Sequence, residues 1–156
     1  VPQSTEVALG LARKAAAEGP DGFQDESHTD QVTTRWYKQA SEQGDAQAQF
    51  NLGSMYEQGR GVPKSDKDAV MWYSKAAEQG DAGSQNNLGA MYEKGRGVEK
   101  SEKEAVKWFR KSAEQGHSGA QINLAFMYMA GRGVSHNPQV ALIWLQKAAT
   151  SGHDHA

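Results

Sequence analysis

The sequence predicts an all-α solenoid of helix-turn-helix repeats with a 36-residue period, and three observations predict it. A block of residues recurs at fixed spacing, each copy holds two amphipathic helical patterns, and each pattern has its own start and stop signals. Asp45-Ala46-Gln47-Ala48-Gln49-Phe50-Asn51-Leu52-Gly53 returns 36 residues later as Asp81 to Gly89 and, varied, after another 36 as His117 to Ala125. The register holds for Leu52, Leu88 and Leu124, for Tyr56, Tyr92 and Tyr128, for Trp72, Trp108 and Trp144, and for Gly80, Gly116 and Gly152. Self-similarity at such a period marks stacked units that cannot bury their apolar faces singly.

In the first helix of a unit, Ala48, Leu52, Met55 and Tyr56 fall at i, i+4, i+7 and i+8, which is one helical face; Ala69, Trp72, Tyr73, Ala76 and Ala77 form the face of the second. Gly59-Arg60-Gly61-Val62, repeated as Gly95 to Val98 and Gly131 to Val134, ends each first helix, because glycine accepts the left-handed conformation a C-cap needs. Ser65 with Asp68 and Ser101 with Glu104 resemble capping boxes, and Asn137 before Pro138 places an N-cap ahead of a first-turn proline. A helix of about 13 residues is marginal alone in water, so the units must lean on one another. Gly53 and Gly89, with Ala125 in the third copy, sit mid-helix, where glycine costs ~1 kcal/mol relative to alanine. A neighbouring helix is therefore expected to approach the backbone closely there, through its Trp.

Full repeats are assigned to residues 45–80, 81–116 and 117–152. A half repeat occupies 30–44, since Trp36-Tyr37 precedes Trp72-Tyr73 by 36 residues and Ser41-Glu42-Gln43-Gly44 matches Ala77 to Gly80. Residues 153–156 are the stub of a further unit, and 1–29 form an N-terminal cap. In that cap, Thr5 to Glu18 is helical by composition and is assigned as a divergent first helix partnering the Trp36 helix, with Gly19 to Thr29 as loop. Lys14-Ala15-Ala16 and Gly19 also imitate Lys75-Ala76-Ala77 and Gly80, the end of a second helix.

The 156 residues carry 17 basic and 19 acidic side chains, a formal charge of −2, which gives nucleic acid no electrostatic footprint. No cysteine is present, so disulfides and thiolate metal sites are excluded. No apolar run approaches the roughly 20 residues a membrane helix needs. The chain begins at Val1, not Met, which fits a removed signal peptide or a trimmed chain.

The pattern A-x-x-x-L-G-x-x-Y-x-x-G-x-G-V followed by A-x-x-W-x-x-K-A-A-x-x-G, seen as Ala48 to Val62 and Ala69 to Gly80, resembles the Sel-one-like repeat (SLR) family, relatives of the tetratricopeptide repeats. The resemblance spans Trp36 to Gly152. It implies a right-handed α/α superhelix whose first helices line a concave face, an adaptor role in macromolecular complexes, and a bacterial periplasmic or secreted setting. One branch of the family carries a disulfide in every repeat; lacking cysteine, this chain departs from it, and penicillin binding reported for that branch is not carried over.

The residues offer little for chemistry. No S-x-x-K, H-E-x-x-H, P-loop or EF-hand pattern occurs, and no cofactor is implied. His153-Asp154-His155, with His117 one repeat earlier, gathers imidazoles, but without a fixed third ligand a frayed tail is the better reading. The pairs Asp66/Asp68 and Glu102/Glu104 lie in first helical turns, where acids complement the macrodipole. Arg60, Arg96 and Arg132 form a ladder of one arginine per unit that either grips an acidic partner or stands solvated in loops.

Positions that change between copies point elsewhere. In the first helices these are Gln47, Gly83 and Gly119; Phe50, Asn86 and Ile122; Ser54, Ala90 and Phe126; Glu57, Glu93 and Met129. Read as the concave surface, this face is polar in the middle unit and apolar in the third, where Ile122, Phe126 and Met129 are spaced i, i+4, i+7. The stripe marks either a partner site or a surface covered by a C-terminal segment or a neighbouring subunit. Asn51, Asn87 and Asn123 recur beside it, suited to holding an extended peptide by its backbone or to bonding helix to helix. The expected function is a non-catalytic scaffold binding a protein or peptide, with Phe50, Asn51, Ser54, Asn86, Asn87, Glu93, Ile122, Asn123, Phe126 and Met129 as contacts. Two alternatives are a hydrolase or penicillin-binding activity, for which no nucleophile with an adjacent base is visible, and self-assembly through open solenoid ends.

Overall fold

A computed structural model describes residues 26–154, with side chains from Asp30 to Ser151. Among the described residues there are seven α-helices and no strand: α1 (Glu26–Glu42), α2 (Ala46–Gln58), α3 (Asp66–Glu78), α4 (Ala82–Lys94), α5 (Glu102–Glu114), α6 (Ser118–Ala130) and α7 (Pro138–Asp154). This is the all-α solenoid of helix-turn-helix repeats that the 36-residue period implies. The chain divides into two compact units, Val1–Ala76 and Ala77–Ala156. The proposed helix Thr5 to Glu18 lies outside the described residues. The loop assigned to Gly19–Thr29 is too long, because α1 already begins at Glu26. Its breakers, Gly19, Pro20 and Gly22, all precede that point, and nothing after them opposes a helix.

The helix ends obey the local signals. Gly59, Gly95 and Gly131 adopt φ of 69°, 67° and 66°, and their N–H groups return to the carbonyls of Met55, Met91 and Met127, closing α2, α4 and α6. Ser65 and Ser101 accept from the N–H groups of Asp68 and Glu104 at 3.2 Å, and Asn137 accepts from Val140 N–H at 3.2 Å. A second set of caps was not anticipated. Asp45 and Asp81 accept from the N–H groups of Ala48 and Ser84 at 2.9 Å, and in the third copy His117 Nδ1 takes that role for Ala120 N–H at 3.0 Å.

In the first unit α1 packs on α2, and Tyr37, Ala40, Ala48, Leu52 and Trp72 form the core, flanked by Met55 and Tyr56. In the second unit α4 packs on α5, α5 on α6 and α6 on α7, around Ala105, Val106, Phe109, Ala113, Ala120, Leu124 and Met127. The mid-helix glycines are places of close approach, but the approaching ring is not tryptophan. A Cβ on Gly53 would stand 2.7 Å from the Tyr73 ring, and one on Gly89 would stand 2.7 Å from the Phe109 ring. Each ring belongs to the residue after the tryptophan. Trp72 and Trp108 instead turn a face outward beneath lysine: Lys75 Nζ lies 4.9 Å from the Trp72 centroid and Lys111 Nζ 4.8 Å from that of Trp108, with Lys147 over Trp144 at 4.5 Å.

Candidate docking surface

Predicted contact residues fall into those used inside a unit and those left uncovered. In the second unit single side chains on the variable face of α4 reach α6 and the loop that follows it. Asn123 Nδ2 donates to Asn86 Oδ1 at 2.9 Å, Ala90 packs against the core cluster that includes Leu124 and Met127, and Glu93 pairs with Arg132 at 3.4 Å. Asn86, Glu93 and Asn123 thus link consecutive repeats within this unit. In the first unit Phe50 is half-buried, its ring tilted 45° against Tyr73 at 6.1 Å, and Ser54 accepts from Gln58 Nε2 at 3.2 Å. Asn51 and Asn87 are half-buried.

The stripe on α6 differs. Ile122, Phe126 and Met129 are 38%, 61% and 44% exposed, and Leu142 and Ile143 on α7 are 55% and 50% exposed. Five of the seven exposed large hydrophobic side chains among the described residues therefore sit on the last helix pair. Isolated apolar residues at a surface need no explanation, whereas a cluster of this kind marks a contact site.

The arginines of the ladder pair within the chain while staying in reach of solvent, with side chains 63% exposed at Arg60 and 42% at Arg132. Arg60 pairs with Asp30 on α1 at 3.4 Å. Arg132 meets Glu93 and Glu102 at 3.4 Å each, while the backbone of its neighbour Gly133 rests on the first turn of α5, against the Glu102 carbonyl and Val106. Arg96 also has a partner. The loops of Arg60 and Arg132 are each a clasp from one repeat onto the second helix of the repeat before it.

Among the described residues no cluster of three or more His, Cys, Asp and Glu could hold a metal ion, and no helix is long and apolar enough to cross a membrane. His117, grouped in the sequence with His153 and His155, is spent as an N-cap; those two side chains lie outside the described residues. Asp66, Asp68, Glu102 and Glu104 occupy first helical turns, as their capping role requires.

The family model for the Sel1 repeat matches residues 1–20, 34–45, 46–81, 82–117 and 118–153. The chain belongs to the Sel1 repeat family. Among solved structures it is similar to a protective antigen present in uropathogenic Escherichia coli strains that displays an SLR fold, at 37% identity and a TM-score of 0.84 over 95% of this chain and 31% of that one. A Sel1 repeat protein from Oxalobacter formigenes aligns at 31% identity and TM-score 0.81, over 95% of this chain and 58% of that one. Cysteine rich protein B of Helicobacter pylori aligns at 28% identity and TM-score 0.58, over 77% of this chain and 94% of that one. The chain thus spans about a third of the first protein's length and somewhat over half of the second's. No functionally curated protein matches it at a significant level.

Within these Sel1 repeats one recurring residue escaped the sequence reading. Gln49, Gln85 and Gln121 are buried, and each Nε2 donates at 3.1 Å to the carbonyl eight residues earlier, that of Ser41, Ala77 or Ala113. Each glutamine ties a first helix to the end of the helix before it, adding a second bond at a carbonyl that also accepts the N–H of Gly44, Gly80 or Gly116 at 3.0 Å. The signal was present as an invariant Gln at the 36-residue period, inside a segment judged by its apolar positions alone.

Proposed function

We propose that this Sel1 repeat protein is a non-catalytic scaffold that holds a protein or peptide partner, with Ile122, Phe126 and Met129 on α6 as the anchoring contacts. The observation that carries the reading is the exposure of those three side chains, at 38%, 61% and 44%, on a helix face whose counterpart in the preceding repeat, Asn86, Ala90 and Glu93, is half-buried. Burying an apolar side chain contributes about 1.5–3 kcal/mol, so three anchors in one row suffice for a specific contact when the partner is complementary. The family habit of mediating protein–protein interaction supports the same reading. The other predicted contacts Phe50, Asn51, Ser54, Asn86, Asn87, Glu93 and Asn123 are half-buried, and of these Asn86, Glu93 and Asn123 would contribute by tying α4 to the repeat that presents the stripe.

Affinity capture from a native extract with the wild-type chain and with the Phe126→Asp/Met129→Ser variant tests the proposal. Both side chains are exposed, so the variant should keep its helical signal. Partners recovered by the wild type and lost by the variant are expected; equal recovery of every partner would remove this face from the function.

A further inference from the structure

We infer that the cavity between the first turn of α6 and the second half of α7 receives the side-chain carboxamide of a glutamine from a partner polypeptide, with Gln121 Oε1 as the acceptor. Gln121 is 3% exposed, and its two polar ends are treated unequally: Nε2 donates to the Ala113 carbonyl at 3.1 Å, whereas Oε1 is buried and meets no donor of the chain. A buried acceptor without a donor is unfavourable by itself, so a site that keeps one is suited to a ligand that brings the donor. One repeat earlier the chain supplies that donor itself. Gln115 Nε2 donates to Gln85 Oε1 at 2.8 Å and to the Gly80 carbonyl at 2.9 Å. Gln85 stands 36 residues before Gln121, and Gln115 stands 36 residues before Ser151, so the second repeat shows a glutamine carboxamide seated where the third has a short hydroxyl.

Space for an incoming side chain is present. Gln121, Ile143, Gln146, Lys147, Thr150 and Ser151 line a cavity of about 500 Å³, within the size range of small-ligand sites. Ile143, 50% exposed, offers an apolar wall for the methylene groups of that side chain. Thr150 Oγ1 donates to the Gln146 carbonyl at 3.0 Å and keeps its lone pairs, while a glutamine amide and a serine hydroxyl, as at Gln146 and Ser151, can each donate to a carbonyl. The charges narrow the ligand class. None of the described lining residues is acidic and one, Lys147, held over Trp144 at 4.5 Å, is cationic, so a guanidinium or ammonium head would find no counter-ion there. A carboxylate would set its oxygens against Gln121 Oε1, acceptor against acceptor. A neutral carboxamide, with both N–H donors and a carbonyl, satisfies both sides. The same lack of a counter-ion disfavours the ammonium group of a free amino acid and leaves glutamine within a chain. The site is built on the buried Gln121 and does not depend on the exposed stripe of Ile122, Phe126 and Met129.

Heteronuclear NMR of the chain titrated with N-acetyl-glutamine N-methylamide tests the inference. Saturable shifts are expected at the Gln121 side-chain amide and at the backbone amides of Gln146, Thr150 and Ser151, with a dissociation constant on the order of 1 mM, as suits a probe of so few atoms. The glutamate counterpart of the probe and free L-glutamine should each bind about tenfold more weakly or worse. Ser151→Gln, which sets the chain's own carboxamide in the cavity, should stay helical by circular dichroism and weaken the response by a similar factor. No saturable shift with the glutamine probe would overturn the inference, as would equal binding of the glutamate probe or of free glutamine, or an unaltered titration of Ser151→Gln. The probe carries no apolar anchor, so its failure leaves the stripe on α6 to be judged by the capture experiment alone.

Discussion

Gly89 and Phe109 meet at a distance that admits no side chain, for a Cβ on the glycine would lie 2.7 Å from two ring atoms and 3.2 Å from the Ala105 carbonyl oxygen. The ring is 1% exposed and locked in the core of the second unit. Gly89→Ala would regain about 1 kcal/mol of helix propensity but overpack the core by about 1–3 kcal/mol. A net destabilisation is expected because both the ring and a main-chain carbonyl oppose the methyl group. Urea unfolding should show a lower midpoint for Gly89→Ala, and Gly53→Ala should follow it against Tyr73. A higher midpoint in either would mean that the ring can retreat.

The buried glutamines make a second test. Gln115 Nε2 donates to Gln85 Oε1 at 2.8 Å and to the Gly80 carbonyl at 2.9 Å. In the third repeat Gln121 Oε1 is buried without a partner, and the position of Gln115 is taken by Ser151, whose side chain is shorter. Ser151→Gln should supply the missing donor and contribute about 0.5–1.5 kcal/mol, a rise in Tm of about 1–6 °C for a domain of this size. Gln85→Ala should act oppositely and lower stability by about 0.5–1.5 kcal/mol, since it removes one bond to the Ala77 carbonyl and one from the Gln115 amide while each keeps a second partner in Gly80. Thermal unfolding followed by circular dichroism reads both changes.

Solenoid architecture was legible because each helix carries its own period, caps and stops, so the glycine C-caps and the Ser65, Ser101 and Asn137 N-caps stand where the sequence put them. What failed to show was which face each residue takes once the repeats stack. The face of α4 containing Asn86 and Glu93 was read as a binding surface, and the structure adds that Asn86 and Glu93 also bond Asn123 and Arg132 of the next repeat; periodicity fixes which residues share a face and not which neighbours they meet. Tyr73 and Phe109 were passed over for the tryptophans for the same reason. Only in the third copy did the variable positions reveal themselves, because Ile122, Phe126 and Met129 are too apolar for a solvated face.

His117 supplies a prediction about capping. Its Nδ1 accepts the Ala120 N–H at 3.0 Å, the role that Asp45 and Asp81 fill in the earlier copies. His117→Ala should lower stability by about 0.5–2 kcal/mol, whereas His117→Asp, which copies those caps, should retain it. Urea unfolding of the three chains checks it; equal midpoints for His117→Ala and the wild type would show that the cap contributes nothing.

Arg132 is expected to matter little for stability despite its two partners. Its side chain is 42% exposed and those of Glu93 and Glu102 are 24% and 35% exposed, so solvent screens both pairs. Arg132→Gln should cost less than about 1 kcal/mol, and the difference from wild type should shrink further in molar salt. A larger, salt-independent loss in urea unfolding would show the clasp to be a buried anchor.

The most direct test of the docking claim is photocross-linking in the native cell, with a photoreactive phenylalanine placed at position 126 on α6 or, as a control, at position 103 on the solvent side of α5. Discrete protein adducts are predicted from position 126 and not from position 103, whether the captured protein is a second copy or another chain. No adduct from position 126, or the same adducts from both positions, would contradict the account.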